Sequence, residues 1–269
     1  MFNLLQSLLV KPTLLGHYGY RPDSSDPRDF LYKNVVHPDL QAATPTSVDL
    51  SSFNTPVRDQ GQEGSCVGFG ITAHLEWLER RDYNANDPQY QVKVMSPQFL
   101  YYQGRVLENT VLSDSGLTIR DGIRVCAKTG CAAERMWPYS KPMTRQPNAK
   151  AYTSADAHKI SSYYRLSGLA DVLACLMEGF PFVLGVSVYE SFESDAALKS
   201  GIIPMPRADE ALLGGHCMFG CASDVETKYI KVKNSWGEDV GDKGYFYLPF
   251  DYISDFASDM WTIRSGGHM

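Results

Sequence analysis

Apolar positions recur at helical spacing through the first half of this chain and collapse into short alternating or continuous runs through the second. After Ser65, Val67, Ile71, Leu75 and Leu78 fall on one face and predict a helix, with Glu76 and Arg80 as an i,i+4 pair on the opposite side. "MSPQFLYYQGRVLE" predicts a second helix, with Ser96 as N-cap and Pro97 in the first helical position. "LTIRDGIRVCAKTG" predicts a third, closed by Gly130. Beyond it, "KISSYYRL", "FPFVLGVSVY", "HCMFGCA", "YIKVKN" and "GYFYLPF" are β-branched or aromatic runs separated by Gly, Asp and Ser turns. The pattern predicts an α+β fold, with a helical lobe over about 57–155, an antiparallel β lobe over about 156–264, and a site in the cleft between them.

The start of the chain reads differently. Leu4, Leu5, Leu8 and Leu9 fit one face of a short docked helix, and Lys11 and Pro12 end the apolar run far below membrane-spanning length. Residues 17–43 are rich in Pro, Asp, Ser and Tyr and have no sustained period, so they predict a strap laid over a surface. The expected division is an N-terminal extension, 1–43, and a globular domain, 44–269.

Composition narrows the function classes. The 269 residues are 43% hydrophobic and 12% aromatic, enough for a substantial core. The net charge of −6 argues against nucleic-acid and anionic-membrane partners, which need clustered Lys and Arg. The six cysteines form no CxxC pair, and His216 adjoins Cys217 directly, so no metal site is expected. Reduced thiols and a cytoplasmic setting are the simpler expectation than secretion.

One of those thiols has the setting of a nucleophile. In "QGQEGSCVGFG", Cys66 stands where the first predicted helix begins, and unpaired N–H groups there stabilise a thiolate. Its partner must be a histidine. His74 is expected on the solvated side of the helix, His17 and His37 lie in the strap, His268 is in the tail, and His158 has no polar companion motif. His216 remains: it follows "LLGG", whose glycines permit close approach of another backbone. Centring the turn "SDVETK" on Val225 puts His216 opposite Asn234, an amide able to orient the imidazole. Gln60, in the Gly-flanked loop before Cys66, is placed to complete an oxyanion hole with the Cys66 N–H.

With these residues assembled, "PVRDQGQEGSCVGF", "GGHCMFGCA" and "KNSWGEDVGDKGYFYLP" resemble the nucleophile, histidine and asparagine blocks of the papain-like cysteine peptidases, family C1 of clan CA. The resemblance runs from about Thr44 to Arg264, and "GYRPDSSDPRDF" and "SPQFLYY" are similar to its bacterial branch with short N-terminal extensions. It implies the papain-like two-lobe fold with a β-barrel-like second lobe. It also implies peptide-bond hydrolysis through an acyl-thioester, with Cys66 as nucleophile, His216 as base and then acid, Asn234 orienting the ring, and Gln60 in the oxyanion hole. Trp236 would shield the His–Asn bond, and Gly64, Ser65, Gly116, Gly215 and Trp236 would line the substrate site. No cofactor is implied, a polypeptide is the implied substrate, and a monomer is expected.

There are departures. Glu63 stands where the family carries a cysteine, so that disulfide cannot form, and it is expected to make the cleft rim acidic. Val67, Gly215 and Val240 replace an aromatic, an Asn or Asp, and a tryptophan. The residues before Thr44 are too few for the family's helical propeptide. They are expected to lie partly over the cleft as an inhibitor, docking through "PDSSDPRD", with bracing of the β lobe as the alternative. Two rival activities use the same residues: an acyltransferase or transglutaminase-like enzyme, and a catalytically silent peptide-binding module.

Overall fold

The structure, a computed structural model, describes residues 18–84 and 93–266. The apolar helix expected around Leu4 to Leu9, His17, and the tail with His268 lie outside them. The strap from Tyr18 is extended except for a 3-10 turn at Tyr32–Asn34 and the short helix α1 (Pro38–Ala42), which Pro38 opens after the His37 N-cap.

The helical lobe consists of α2 (Cys66–Asn84), α3 (Pro97–Leu107), α4 (Ile119–Lys128) and α5 (Ala149–Asp156). Ser96 caps α3 through Phe99 N–H, as its sequence predicts, and Thr118 caps α4 through Asp121 N–H. Gly130, with φ +85°, carries the chain beyond α4. The β lobe is an open antiparallel sheet in the order β2 (Ile160–Leu166), β7 (Ala257–Gly266), β3 (Phe182–Tyr189), β4 (Leu212–Asp224), β5 (Tyr229–Lys233), β6 (Tyr245–Pro249), with β1 (Val48–Asp49) on β4. Three further helices, α6 (Leu169–Met177), α7 (Asp195–Ser200) and α8 (Phe250–Phe256), belong to this half. Among the described residues no helix is long and apolar enough to cross a membrane.

The lobes meet along α2. Its apolar face, with Val67, Ile71, Leu75 and Leu78, shares one core with Ile123 of α4 and with Val183, Phe219, Trp261 and Ile263 of the sheet. Gly70 allows this approach, because a Cβ there would sit 2.9 Å from Cys217 Sγ. The opposite face is not solvated as its sequence suggests. His74 and Glu76 are fully buried, since α3, the loop before α2 and the sheet enclose the helix. Glu76 is not paired with Arg80. It takes the Arg58 guanidinium at 2.8 Å, Met95 N–H at 2.8 Å and the Thr55 hydroxyl, while Arg80 donates to Asn54 O.

Glu76 therefore ties the loop preceding Cys66 to the lead-in of α3. Glu76→Gln keeps the shape but loses a charge-assisted pair in a buried site. It should cost about 2 kcal/mol and lower Tm by roughly 4–8 °C; an unchanged calorimetric Tm would contradict this account.

Candidate active site

Cys66 is the first residue of α2 and is fully buried. Backbone N–H groups of Cys217, Gly19 and Val67 lie near enough to the sulfur to favour its charged form, and Cys217 directly follows His216. Burial nevertheless pushes the thiol up to about 11, above its ordinary 9.0. His216, equally buried, is pushed down to about 4 by loss of solvent, against the favourable bond to Asn234. In this closed state the pair is a thiol beside a neutral imidazole.

His216 Nε2 lies 2.7 Å from Asn234 Oδ1, while Nδ1 has no hydrogen-bond partner among the described residues. The contact arises by a different route from the predicted register. A bulge between Gly220 and Ala222 pairs Phe219 with Lys233 and Ser223 with Ile230, so His216 and Asn234 are not opposed on a ladder. Asn234 instead follows β5, anchored through its N–H to Gly244 O at 2.9 Å, and turns its amide back. Trp236 stacks on the His216 ring at 4.7 Å and 29°, and covers the bond from water.

Gln60 is buried beside this pair. Its Oε1 accepts from Ser235 Oγ at 2.7 Å, and its Nε2 donates to Glu63 O at 2.9 Å. Tyr139 donates to Gln60 O at 2.7 Å and lies 2.6 Å from Ser65 Oγ, so the Ser65 hydroxyl is engaged with Tyr139. Gly64 N–H is held by Asp114, and Tyr101 bonds both Asp114 and Gly116 N–H. Tyr101, Asp114 and Tyr139 thus brace the helical-lobe wall at Gln60, Gly64, Ser65 and Gly116, and sequence reasoning missed all three. Glu63 does not form an acidic rim: its Oε2 meets Gln98 Nε2 at 3.2 Å, and burial raises its carboxyl to about 7.

The cleft is filled by Tyr18, Gly19 and Tyr20. Gly19 O accepts Leu117 N–H at 2.7 Å, Arg21 N–H reaches Leu117 O at 3.1 Å, and Tyr20 N–H reaches Gly215 O at 3.0 Å. The glycines of both walls admit this backbone. A Cβ on Gly116 would stand 2.1 Å from Gly19 O, and one on Gly215 2.4 Å from Tyr20 O. Tyr18 sets its ring edge-on to His216, with centroids 5.8 Å apart.

Farther along, the strap is clasped by ions. Arg120 grips Asp29 with two bonds of 2.8 and 2.6 Å, and Arg165 touches Asp23, Asp29 and Asp259. Trp261 Nε1 and Arg120 N–H donate to the two oxygens of Asp23 at 3.0 and 3.1 Å. All six cysteines are buried free thiols.

The profile of the papain family cysteine proteases matches residues 44–254. The crystal structure of xylellain, a cysteine protease from Xylella fastidiosa, is 35% identical with a TM-score of 0.84, covering 96% of this chain and 99% of that one. An uncharacterized peptidase C1-like protein of Acanthamoeba polyphaga mimivirus is 36% identical over 218 residues, 77% of this chain and 68% of that protein. Cysteine proteinase 3 of Entamoeba histolytica is 27% identical over 78% of this chain, which spans 64% of its length. Procathepsin B from Trypanosoma congolense, 18% identical with a TM-score of 0.70, shares the fold.

Proposed function

The chain belongs to the papain family of cysteine proteases, and on that premise we propose that it hydrolyses polypeptides by a Cys66–His216–Asn234 mechanism, with its N-terminal extension as inhibitor. The observation that carries the mechanism is the oriented histidine: His216 Nε2 lies 2.7 Å from Asn234 Oδ1, and Trp236 stacks on the ring. Cys66 heads α2, and the backbone near its sulfur includes Cys217, the residue that follows this histidine. Transfer of the thiol proton to His216 gives a thiolate and an imidazolium. The thiolate attacks the peptide carbonyl, and the Cys66 N–H and Gln60 carboxamide stabilise the oxyanion. His216 then gives its proton to the leaving amine. Water, deprotonated by His216, releases the acid from the thioester.

Inhibition is supported by what the extension presents to the sulfur. Gly19 offers an N–H, and its carbonyl oxygen is engaged by Leu117 on the wall. The same filled cleft favours one second reading, a permanently plugged binding module.

Labelling with an epoxysuccinyl probe and peptide mass mapping separates the two. The expected result is modification of Cys66 alone, falling about tenfold in His216→Ala as the thiolate fraction drops. Equal modification of several thiols would overturn the mechanism, and no modification even with the extension loosened would favour the plugged module.

A further inference from the structure

Two tyrosines flank Gly19, and each ends on a carboxylate buried in the cleft. Tyr18 donates to Glu193 at 2.6 Å, and Tyr20 donates to Asp259. Glu193 and Asp259 are 7% and 1% exposed. The second site is the better defined. Asp259 stands opposite Gly185 in the β3–β7 ladder, and Gly185 has no side chain to obstruct the ring: a Cβ there would lie 2.1 Å from Tyr20 Cζ. Gly215 lines the ring as well, where a Cβ would lie 2.9 Å from Tyr20 Cδ1.

A buried carboxylate needs partners, and Asp259 divides its own between two sources. Oδ1 takes Arg165 of β2, which stays with the domain. Oδ2 takes the Tyr20 hydroxyl and Asp23 N–H at 2.7 Å, and both belong to the strap. Withdrawal of the strap therefore vacates a ring-sized slot whose floor is an acceptor short of donors. It also removes Asp23 and Asp29 from Arg165, so the guanidinium charge is left to Asp259 alone. A lysine or arginine entering the slot would meet that guanidinium, whereas a phenol brings a donor without a charge.

We propose that, in the opened protease, the slot occupied by Tyr20 selects a tyrosine side chain of the substrate, with Asp259 as the specificity-determining residue. The proposal rests on the peptide-hydrolysis reading above. Atoms other than the donor are common to tyrosine and phenylalanine, so the pair isolates the contact. Loss of a donor to a charged acceptor is worth about a factor of ten or more.

The test uses the full chain carrying Gly19→Ala, which loosens the strap, and fluorogenic peptides with Tyr, Phe, 4-fluorophenylalanine, Lys or Arg at each position in turn. At one position kcat/KM for Tyr should exceed that for the other four about tenfold, and Asp259→Asn should cut the preference below threefold. Should that variant not fold, 4-fluorophenylalanine decides in the unaltered slot, because it has the ring but no donor. Tyr and Phe within twofold at every position, or Lys and Arg preferred, overturns the inference while leaving peptide hydrolysis intact. Absence of any Cys66-dependent cleavage overturns the hydrolysis reading itself, and this one with it.

Discussion

Gly19→Ala in the otherwise unchanged chain should speed epoxysuccinyl labelling of Cys66 ten- to a hundredfold at pH 7. The added Cβ would stand 1.8 Å from Gly64 O, 2.2 Å from its carbonyl carbon and 2.6 Å from its Cα. These are backbone atoms, and Gly64 cannot yield because its N–H is held by both oxygens of Asp114, itself bonded by Tyr101. The strap cannot shift the other way either, because Gly19 O already lies against Gly116. Overpacking of this kind costs about 1–3 kcal/mol, and leaving the cleft relieves it. Departure exposes the sulfur and removes the leading cause of its raised pKa, the burial itself. Ser24→Ala, at an exposed strap position, serves as the control and should label at the wild-type rate. Equal rates in Gly19→Ala and wild type would mean that something other than these residues shields Cys66.

The helices and strands were legible where local chemistry decides them. Ser96–Pro97 opens α3, Gly130 closes the turn after α4, and the β-branched runs from Ile160 onward are strands. What failed were readings that depend on a third body. A helix with two faces puts His74 in water and pairs Glu76 with Arg80, but here the second face is covered: His74 and Glu76 are buried, and Glu76 takes Arg58 instead. A hairpin without a bulge predicts the imidazole–amide contact as a cross-strand pair, whereas the chain makes it with a bulge near Cys221 and an asparagine beyond the strand. Glu63, at the position of the family's cysteine, is expected to make the rim acidic, but Gln98 of α3 draws it inward. The glycines of "LLGG" correctly signalled a close backbone without naming it. That backbone is the strap's own "YGY", whose small central residue between two aromatics is visible in the sequence only once a cleft exists to receive it.

Strap docking should weaken as pH rises, through Asp23. Burial first, and then the neighbouring Asp259 carboxylate, push Asp23 up to about 6 from 3.8, while Arg120 N–H, the Trp261 indole and the Arg120 charge pull the other way. The clasp holds three carboxylates, Asp23, Asp29 and Asp259, against two guanidiniums, Arg120 and Arg165, so one extra proton suits it. A docked pKa above the released one means that docking takes up a proton. Its contribution is complete below about pH 4 and is lost as pH rises through about 6. Two units at 1.36 kcal/mol each set a ceiling of about a hundredfold.

The Cys66 thiol and the His216 imidazole do not mask this. Closed, Cys66 and His216 hold one proton, on sulfur, between about pH 4 and about 11. In the proposed open thiolate–imidazolium pair they also hold one, so they add no slope between about pH 5 and 7.5. Labelling of wild type divided by that of Gly19→Ala at the same pH cancels the chemistry of the thiol. That ratio should climb ten- to a hundredfold from pH 4.5 to 7.5. Asp23→Asn, which cannot take up the proton, should give a flat ratio over the same range. A ratio that falls with pH, or climbs equally in Asp23→Asn, would place the pH dependence in some group other than the Asp23–Asp259 pair.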